Sequence, residues 1–277
     1  MRSILITGVS SGIGFATAMR FLEMGWRVIG SVRKLDDAEQ LKDFGGENFS
    51  PIVLDVTDLE RTAELAGEVP ELLDGKPLDV LCNNAGTSVP AATAYQSVTG
   101  FRSAVELNLI APFAVTRALY PLLAKPGGRI LFIGSLAGIQ PLPFCAAYSA
   151  AKHGIEGLAG SLRAELNGQG IMVSVIAPGS TRTAIATKIG PDTPLDGIDS
   201  EFAPAFARMA QHMAREGQYA FGPERVARVI ERAATVANPR ARYVVTPAYI
   251  SNWLAPRFLG RAWQEARWRG RLDASDH

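Results

Sequence analysis

Two side chains four residues apart, Tyr148 and Lys152, carry the clearest chemical signal in this chain. On a helix that spacing puts them on one face, about one turn apart. A free phenol has a pKa of about 10 and is a poor acid or base at neutral pH. A neighbouring ammonium favours the phenolate and lowers that pKa, so the pair predicts a tuned proton donor and acceptor. Tyrosine and lysine at this spacing are also common, and the pair gains meaning only from the elements that would position it.

Those elements begin at the N-terminus. Ser3 to Thr7 reads as a buried strand. It runs into Gly8-Val9-Ser10-Ser11-Gly12-Ile13-Gly14 and then a helical stretch to about Met24. A strand, a glycine-rich turn and a helix make a phosphate cradle. Gly8 permits the tight turn, Gly12 lets the backbone approach a pyrophosphate, and Gly14 allows close helix–strand packing. Ser10, Ser11 and Ile13 complete the candidate cofactor turn, and the helix start adds N–H donors and partial positive charge. A second strand, Trp26 to Val32, ends in Arg33-Lys34. In dinucleotide folds this strand end lies beside the adenine ribose, where a carboxylate suits the 2′-hydroxyl of NAD. A guanidinium suits a 2′-phosphate instead. Arg33 therefore favours NADP(H) over NAD(H), against the plainer alternative of two solvated surface cations.

Ile52 to Leu54 reads as a third strand, followed by Asp55-Val56-Thr57-Asp58, where Thr57 or Asp58 can cap the next helix. Leu78 to Cys82 is a fourth, followed by the turn signal Asn83-Asn84-Ala85-Gly86. A long helical stretch spans about Val98 to Leu123 with Asn108 inside it. Asparagine is unfavourable there, and Pro112 cannot donate to its carbonyl, which invites a distortion. Arg129 to Ile133 closes on Gly134-Ser135, a serine at a strand end that faces the ligand crevice of a doubly wound sheet. The Tyr148 helix continues to about Asn167. Ile171 to Ala177 ends in Pro178-Gly179-Ser180-Thr181-Arg182-Thr183, Pro223 starts a further helix, and Tyr243 to Thr246 is a last strand.

With these motifs the chain resembles the classical short-chain dehydrogenase/reductase family, over roughly residues 3 to 245. The phosphate turn follows that family's T-G-x-x-x-G-x-G, and Ser135 precedes Tyr148 by the usual interval. Asn108, Ser135, Tyr148 and Lys152 match its catalytic set. The resemblance implies an α/β fold: a single doubly wound, Rossmann-like domain over 1–277 with a core at 3–246. Its parallel sheet would have about seven strands in the order 3-2-1-4-5-6-7. It further implies interconversion of a carbonyl and an alcohol. Tyr148 would exchange the proton, Ser135 would bond the reacting oxygen, Lys152 would hold the nicotinamide ribose and lower the Tyr148 pKa, and Asn108 would hold a relay water. Asp55 and Val56 would border the adenine. Asn84, Ala85 and Gly86 would line the cofactor cleft, and Pro178, Gly179, Thr181 and Thr183 would meet the nicotinamide half. Ser135, Ala137, Leu142, Cys145, Tyr148, Phe202 and Phe206 would touch substrate. The Tyr148 and Asn108 helices would build a dimer contact, in a homodimer or homotetramer; the small residues Gly154, Gly157, Ala159 and Gly160 equally suit packing within one subunit.

Composition narrows the partners. Hydrophobic residues make up 47% of the 277, enough for a full core, and a net charge of +1 exerts no pull toward nucleic acid. Two cysteines form no disulfide framework and fit a reducing compartment, hence a cytoplasmic expectation. No apolar run reaches the roughly 18 residues of a membrane span, and three scattered histidines suggest no metal site. A non-catalytic NADP-binding scaffold would lack Tyr148 or Lys152. An epimerase or dehydratase would show a different glycine spacing, and an NAD-dependent alcohol dehydrogenase of the family would carry an acid one place before Arg33.

Two segments are less regular. Residues 184–219 would form a substrate cover, with Phe202, Phe206, Met209 and Met213 in one helical stripe. The extension 247–277 holds Trp253, Trp263 and Trp268 among Arg257, Arg261, Arg267, Arg269 and Arg271. Pro256 can open a helix with Phe258, Leu259, Ala262, Trp263 and Ala266 on one face. Trp268 falls outside that stripe. The extension is expected to close an apolar substrate pocket, with a subunit contact or a peripheral membrane contact as rivals.

Overall fold

Runs such as Ser3-Ile4-Leu5-Ile6 and Arg129-Ile130-Leu131-Phe132-Ile133 are apolar without alternation, as strands covered on both faces require. Both are buried along their whole length. The structure, a computed structural model, describes residues 1–182, 200–247, 249 and 253–272. Among them stand seven strands: β1 (Ser3–Ile6), β2 (Arg27–Val32), β3 (Phe49–Val53), β4 (Val80–Asn83), β5 (Arg129–Ile133), β6 (Met172–Pro178) and β7 (Arg242–Val245). All pair in parallel, in the order β3-β2-β1-β4-β5-β6-β7. β3 begins before the expected Ile52 and includes Pro51, which an edge strand tolerates. Helices cover both faces. On one, α1 (Gly12–Glu23) and α8 (Pro223–Thr235) bury Phe21, Val226 and Ile230 against β1 and β4. On the other, α3 (Leu59–Leu72), α5 (Ala111–Leu119) and α6 (Ala146–Leu166) bury Leu65, Val115 and Ile155 against Leu5, Leu81 and Phe132. The order reverses between β1 and β4, and the crevice at such a switch point is where ligands sit.

The expected long helix over 98–123 is broken. A short α2 (Glu39–Gly45) precedes β3, and α4 (Val98–Val105) passes into a π-helical turn, Glu106–Ile110, before α5 begins. Pro112 removes the donor that would have served the Asn108 carbonyl in an unbroken α-helix.

The extension departs further. After α7 (Ala203–Gln218), the last helix is α9 (Ala255–Leu272), and it is interrupted at Gly260 with φ 74° and ψ −176°. Only glycine is at ease there, so the residues before and after it do not share one face. The expected apolar stripe is therefore absent: Phe258 is 77% and Leu259 55% exposed. Trp268, outside that stripe, packs edge-on against His212 of α7 at 5.7 Å between ring centroids, and Arg208 of α7 donates to the Leu272 carbonyl. Trp253 is buried beside the guanidinium of Arg242, which forks onto Glu156 of α6. The side chains of Arg257 and Arg261 lie outside the described residues. In α7 the expected stripe holds in part: Met209 is buried, Phe202 and Phe206 are half-buried, and Met213 is exposed.

Candidate functional site

The glycine turn joins β1 to α1. Gly8 and Gly12 both take positive φ, +73° and +60°, a region L side chains avoid. A Cβ on Gly14 would collide with the Gly8 carbonyl and stand 2.5 Å from Asn84 Nδ2. The turn is stitched to its neighbours: Gly8 N donates to Ser31 Oγ (2.9 Å), and Asn84 Nδ2 donates to the Thr7 and Gly8 carbonyls (2.9 Å each). The amides of Asn84 and Ala85 both donate to Thr7 Oγ1. Asn83 is buried and donates to Thr116 on α5. Ser10 and Ser11 are exposed at the mouth, and the Ser11 side chain makes no capping bond to α1. First-turn amides and serine hydroxyls thus face outward beside a backbone with no Cβ in the way, the donor set that suits a pyrophosphate.

The catalytic candidates converge beyond β4 and β5. Ser135 lies just past the end of β5 and caps a short 3₁₀ turn, Leu136–Gly138, accepting from Ala137 N (3.1 Å). A Cβ on Gly138 would stand 2.6 Å from the Lys152 carbonyl, so this turn lies flush against α6 and fixes Ser135 relative to Lys152. Tyr148 sits in the first turn of α6, with its phenol near enough to Ser135 for that side chain to lower its pKa. Lys152 is 4% exposed; its Nζ donates to the Ile133 carbonyl (2.8 Å) and stands 5.6 Å from the Tyr148 ring centroid.

Asn108 is fully buried in the π turn. Its Nδ2 donates to the Thr87 and Ala104 carbonyls (2.9 and 3.0 Å), while its Oδ1 has no partner among the described residues. A Cβ on Gly86 would stand 2.7 Å from that Oδ1 and 3.6 Å from Lys152 Nζ. Glycine at 86 keeps the space between amide oxygen and ammonium clear, and an orphaned buried acceptor there calls for a polar guest.

The electrostatics correct one expectation. Burial raises the Tyr148 pKa, outweighing the Ser135 hydrogen bond that lowers it. Burial also lowers Lys152 from 10.5 to about 8. Two groups withdrawn from water both favour their neutral forms. For the lysine the sign is the reverse of a paired cation. The unfolded chain binds more protons between pH 8 and 10.5, so the buried ammonium opposes folding below about pH 8, and that opposition fades as pH rises toward 10.5. Urea titrations of the cofactor-free protein should therefore show the parent gaining stability relative to Lys152→Met between about pH 7.5 and 9.5. A pH-independent difference would contradict the burial effect.

The remaining cofactor candidates border the same crevice. Arg33 and Asp55 are exposed past the ends of β2 and β3; Thr57 hydrogen bonds hold the Asp55 carboxyl below its usual value, with a smaller contribution from Arg33. Val56 is buried behind them, Pro178 is the last residue of β6, and Gly179 and Thr181 follow it. Thr183, and the expected cover as far as residue 199, lie outside the described residues. Among the substrate candidates, Ala137 is wholly buried and shapes the cleft only from behind. Leu142 and Cys145 are half-buried, Cys145 Sγ lies 4.0 Å from Ser88 Oγ, and burial pushes its thiol up to about 11. Phe202 and Phe206 stand on or beside α7 above this wall. Three further residues join it with no signal in their spacing: Ser88, Tyr95 and Phe144. The Tyr95 ring meets Phe202 and its hydroxyl donates to Glu201 (2.8 Å).

Comparison with known proteins agrees with this geometry. A family model described as short chain dehydrogenase matches residues 2–194. The chain is 33% identical over 253 residues to the NADPH-dependent 3-dehydrocapnine reductase of Ornithobacterium rhinotracheale, covering 89% of each. It is 30% identical over 281 residues to 17-beta-hydroxysteroid dehydrogenase type 6 of Bos taurus, covering 94% of this chain and 88% of that one. The crystal structure of a short-chain dehydrogenase from Streptomyces avermitilis superposes with a TM-score of 0.82 at 28% identity, over 99% of this chain and 98% of that one. The family model spans well over half of the 277 residues, and the chain therefore belongs to the short-chain dehydrogenase family of oxidoreductases.

Proposed function

We propose that this oxidoreductase uses NADP(H) to interconvert a carbonyl and a primary or secondary alcohol on a lipophilic small molecule. The observation that carries the proposal is the convergence of Ser135, Tyr148, Lys152 and Asn108 beside the glycine turn. Three features support the choice of cofactor and substrate. Arg33 offers a guanidinium where a 2′-phosphate would lie. One relative is named NADPH-dependent and another acts on a hydroxysteroid. Leu142, Phe144, Cys145, Phe202 and Phe206 would give the substrate an apolar wall.

NADPH, when bound, supplies the hydride that reduces the carbonyl carbon. The protein supplies everything else. The amides of the glycine turn would hold the pyrophosphate, Asp55 and Val56 would border the adenine, Asn84, Ala85 and Gly86 would line the cofactor cleft, and Pro178, Gly179, Thr181 and Thr183 would meet the nicotinamide half. Ser135 Oγ donates to the carbonyl oxygen and fixes its position. Tyr148, kept protonated by burial, gives its phenolic proton to that oxygen; in oxidation the proton returns. Lys152 holds the ribose and carries a positive charge at neutral pH, which stabilises the phenolate left after transfer. Asn108 Oδ1 holds the water through which Lys152 returns a proton to Tyr148. As further parts of the same proposal, the enzyme is a single-domain cytoplasmic protein that acts as a homodimer or homotetramer. Gly157 and Gly160 face open space on α6, where a second copy can approach.

A panel of ketones and alcohols, including steroids, retinoids and aliphatic or aryl carbonyls, followed by NADPH absorbance, tests the assignment. Within it, Arg33→Ala should weaken NADPH by about 10- to 150-fold and leave NADH nearly unchanged, since a charge-assisted bond contributes about 1.5–3 kcal/mol. Equal loss for both cofactors would remove the 2′-phosphate role.

A further inference from the structure

Helix α7 has little hold of its own on the body of the protein. Of its 16 residues only Met209 is buried, and a helix that buries so little owes its place to contacts along its sides. One side spans two loops that lead into the site. The Phe206 ring meets Phe144 edge-to-face with centroids 5.2 Å apart, on a turn where Phe144 takes the left-handed φ of +59°. Phe202, at the N-cap of α7, meets Tyr95. Tyr95 and Phe144 lie in the loops that follow β4 and β5, the strands that lead to Asn84 and to Ser135. At 3.6 residues per turn, Arg208 and His212 fall on the side of α7 roughly opposite Phe206, and both meet α9. Arg208 Nε donates to the Leu272 carbonyl, and the His212 ring stands edge-on to Trp268, 5.7 Å between centroids. The Arg271 guanidinium lies 5.2 Å from the same Trp268 ring.

The extension is anchored a second time, just before α9. Trp253 is 8% exposed, and the Arg242 guanidinium stands 5.4 Å from its ring centroid. That guanidinium forks onto Glu156 of α6, with Nε 3.0 Å from both carboxylate oxygens. Glu156 follows Lys152 by one turn on the same helix. A Cβ on Gly134, the residue before Ser135, would lie 3.9 Å from Glu156 Oε1, so the ion pair sits just behind the site. Between the two anchors the chain holds on to little: Phe258, Leu259, Ala262, Glu265 and Ala266 are exposed. Gly260, with φ 74°, divides α9 into two pieces. Helical pieces shorter than about 12–15 residues are marginal alone, so the order of the extension depends on its two ends.

We infer that the extension is a strap that ties α7 to the catalytic helix α6, with Trp253 and Trp268 as its two positioning residues. What the strap does for catalysis rests on the carbonyl/alcohol assignment above. It limits how far α7 can swing from the Tyr148 helix, and so acts on retention of the substrate rather than on the chemical step. A strap has a signature that two separate packing contacts lack. Releasing either end frees the same element, even when the released end touches another part of the molecule.

Hydrogen exchange of the cofactor-free full-length chain, read by mass spectrometry over α7, tests the strap without any turnover. Trp268→Ala should speed α7 exchange by at least about tenfold, and Trp253→Ala, at the other end, should do the same, while α1 and α8 stay within about twofold of the parent. Trp268→Phe keeps an aromatic edge for His212 and should leave α7 within about threefold of the parent. With a ketone that the enzyme reduces, Trp268→Ala should raise KM by about tenfold with kcat within about threefold, and Trp268→Phe should restore KM. If melting shows that Trp253→Ala is unfolded, Trp253→Leu decides, since it keeps an apolar side chain and removes the ring beside Arg242. Exchange in α7 that is unchanged by release of either end, or a KM that stays at the parent's value once α7 is freed, overturns the inference. Faster α7 exchange in both variants with no carbonyl turned over would instead remove the redox assignment and leave the strap standing.

Discussion

Tyr148→Phe should lower turnover by about 10²–10⁴-fold, the usual contribution of general acid–base catalysis, with NADPH bound about as tightly as by the parent. The substitution removes one hydroxyl and keeps the ring, so the packing around α6 is undisturbed. Ser135 remains to hold the carbonyl oxygen but has no base to restore a proton once it is given. Burial strengthens the expectation. It holds the phenol in the protonated form needed for reduction, and no other phenol lies within the cluster of Ser135, Lys152 and Asn108 among the described residues. Steady-state rates and a fluorescence titration with NADPH would separate the two effects. Turnover within about tenfold of the parent would remove Tyr148 from the chemistry.

Gly14→Ala should cost the second-largest effect, through structure rather than chemistry. Its added methyl would collide with the Gly8 carbonyl and crowd Asn84 Nδ2 at 2.5 Å. Neither neighbour is free to give way, since Asn84 Nδ2 already donates to Thr7 and Gly8 carbonyls and Gly8 N to Ser31. Overpacking of this kind costs about 1–3 kcal/mol, and occasionally more, when backbone must move. The distortion would spread into the phosphate turn itself. Thermal melting should show a clear loss of stability, and NADPH affinity should fall with it. A variant as stable as the parent, with unchanged affinity, would mean that the turn and the start of α1 are not packed as closely as described.

Some of this was legible in residue types and spacing. Parallel strands buried on both faces read as unbroken apolar runs, so β1 and β5 stand where expected. The glycine turn was legible because positive φ and close approach leave few other residues eligible. β3 was under-read because Pro51 argues against a strand unless it is known to lie at an edge. The π turn was half-legible: Pro112 pointed to a distortion, but its hydrogen-bond pattern is a property of the folded helix.

Other features depend on tertiary context that spacing does not carry. The direction of the Tyr148 shift is set by burial, and an amine four residues away says nothing of how far both groups are from water. In the extension, periodicity placed Phe258 and Leu259 on a common face with Trp263. Gly260 breaks that face, and Trp268 finds His212 on another element. The pairing of Phe144 with Phe206 joins residues 62 positions apart through a strained turn, with no periodic signal at either end.

The central claim is proton donation by Tyr148 coupled to reduction by NADPH, and isotope transfer tests it most directly. The enzyme would be incubated with NADPH carrying deuterium at both C4 positions and a ketone from the panel that it turns over, and the alcohol analysed by mass spectrometry. The account predicts one deuterium on the carbinol carbon with the parent enzyme and labelled alcohol formed about 10²–10⁴-fold more slowly with Tyr148→Phe. Labelled alcohol formed equally by both proteins, or NADPH consumed by the parent with no deuterium in any alcohol, would contradict it.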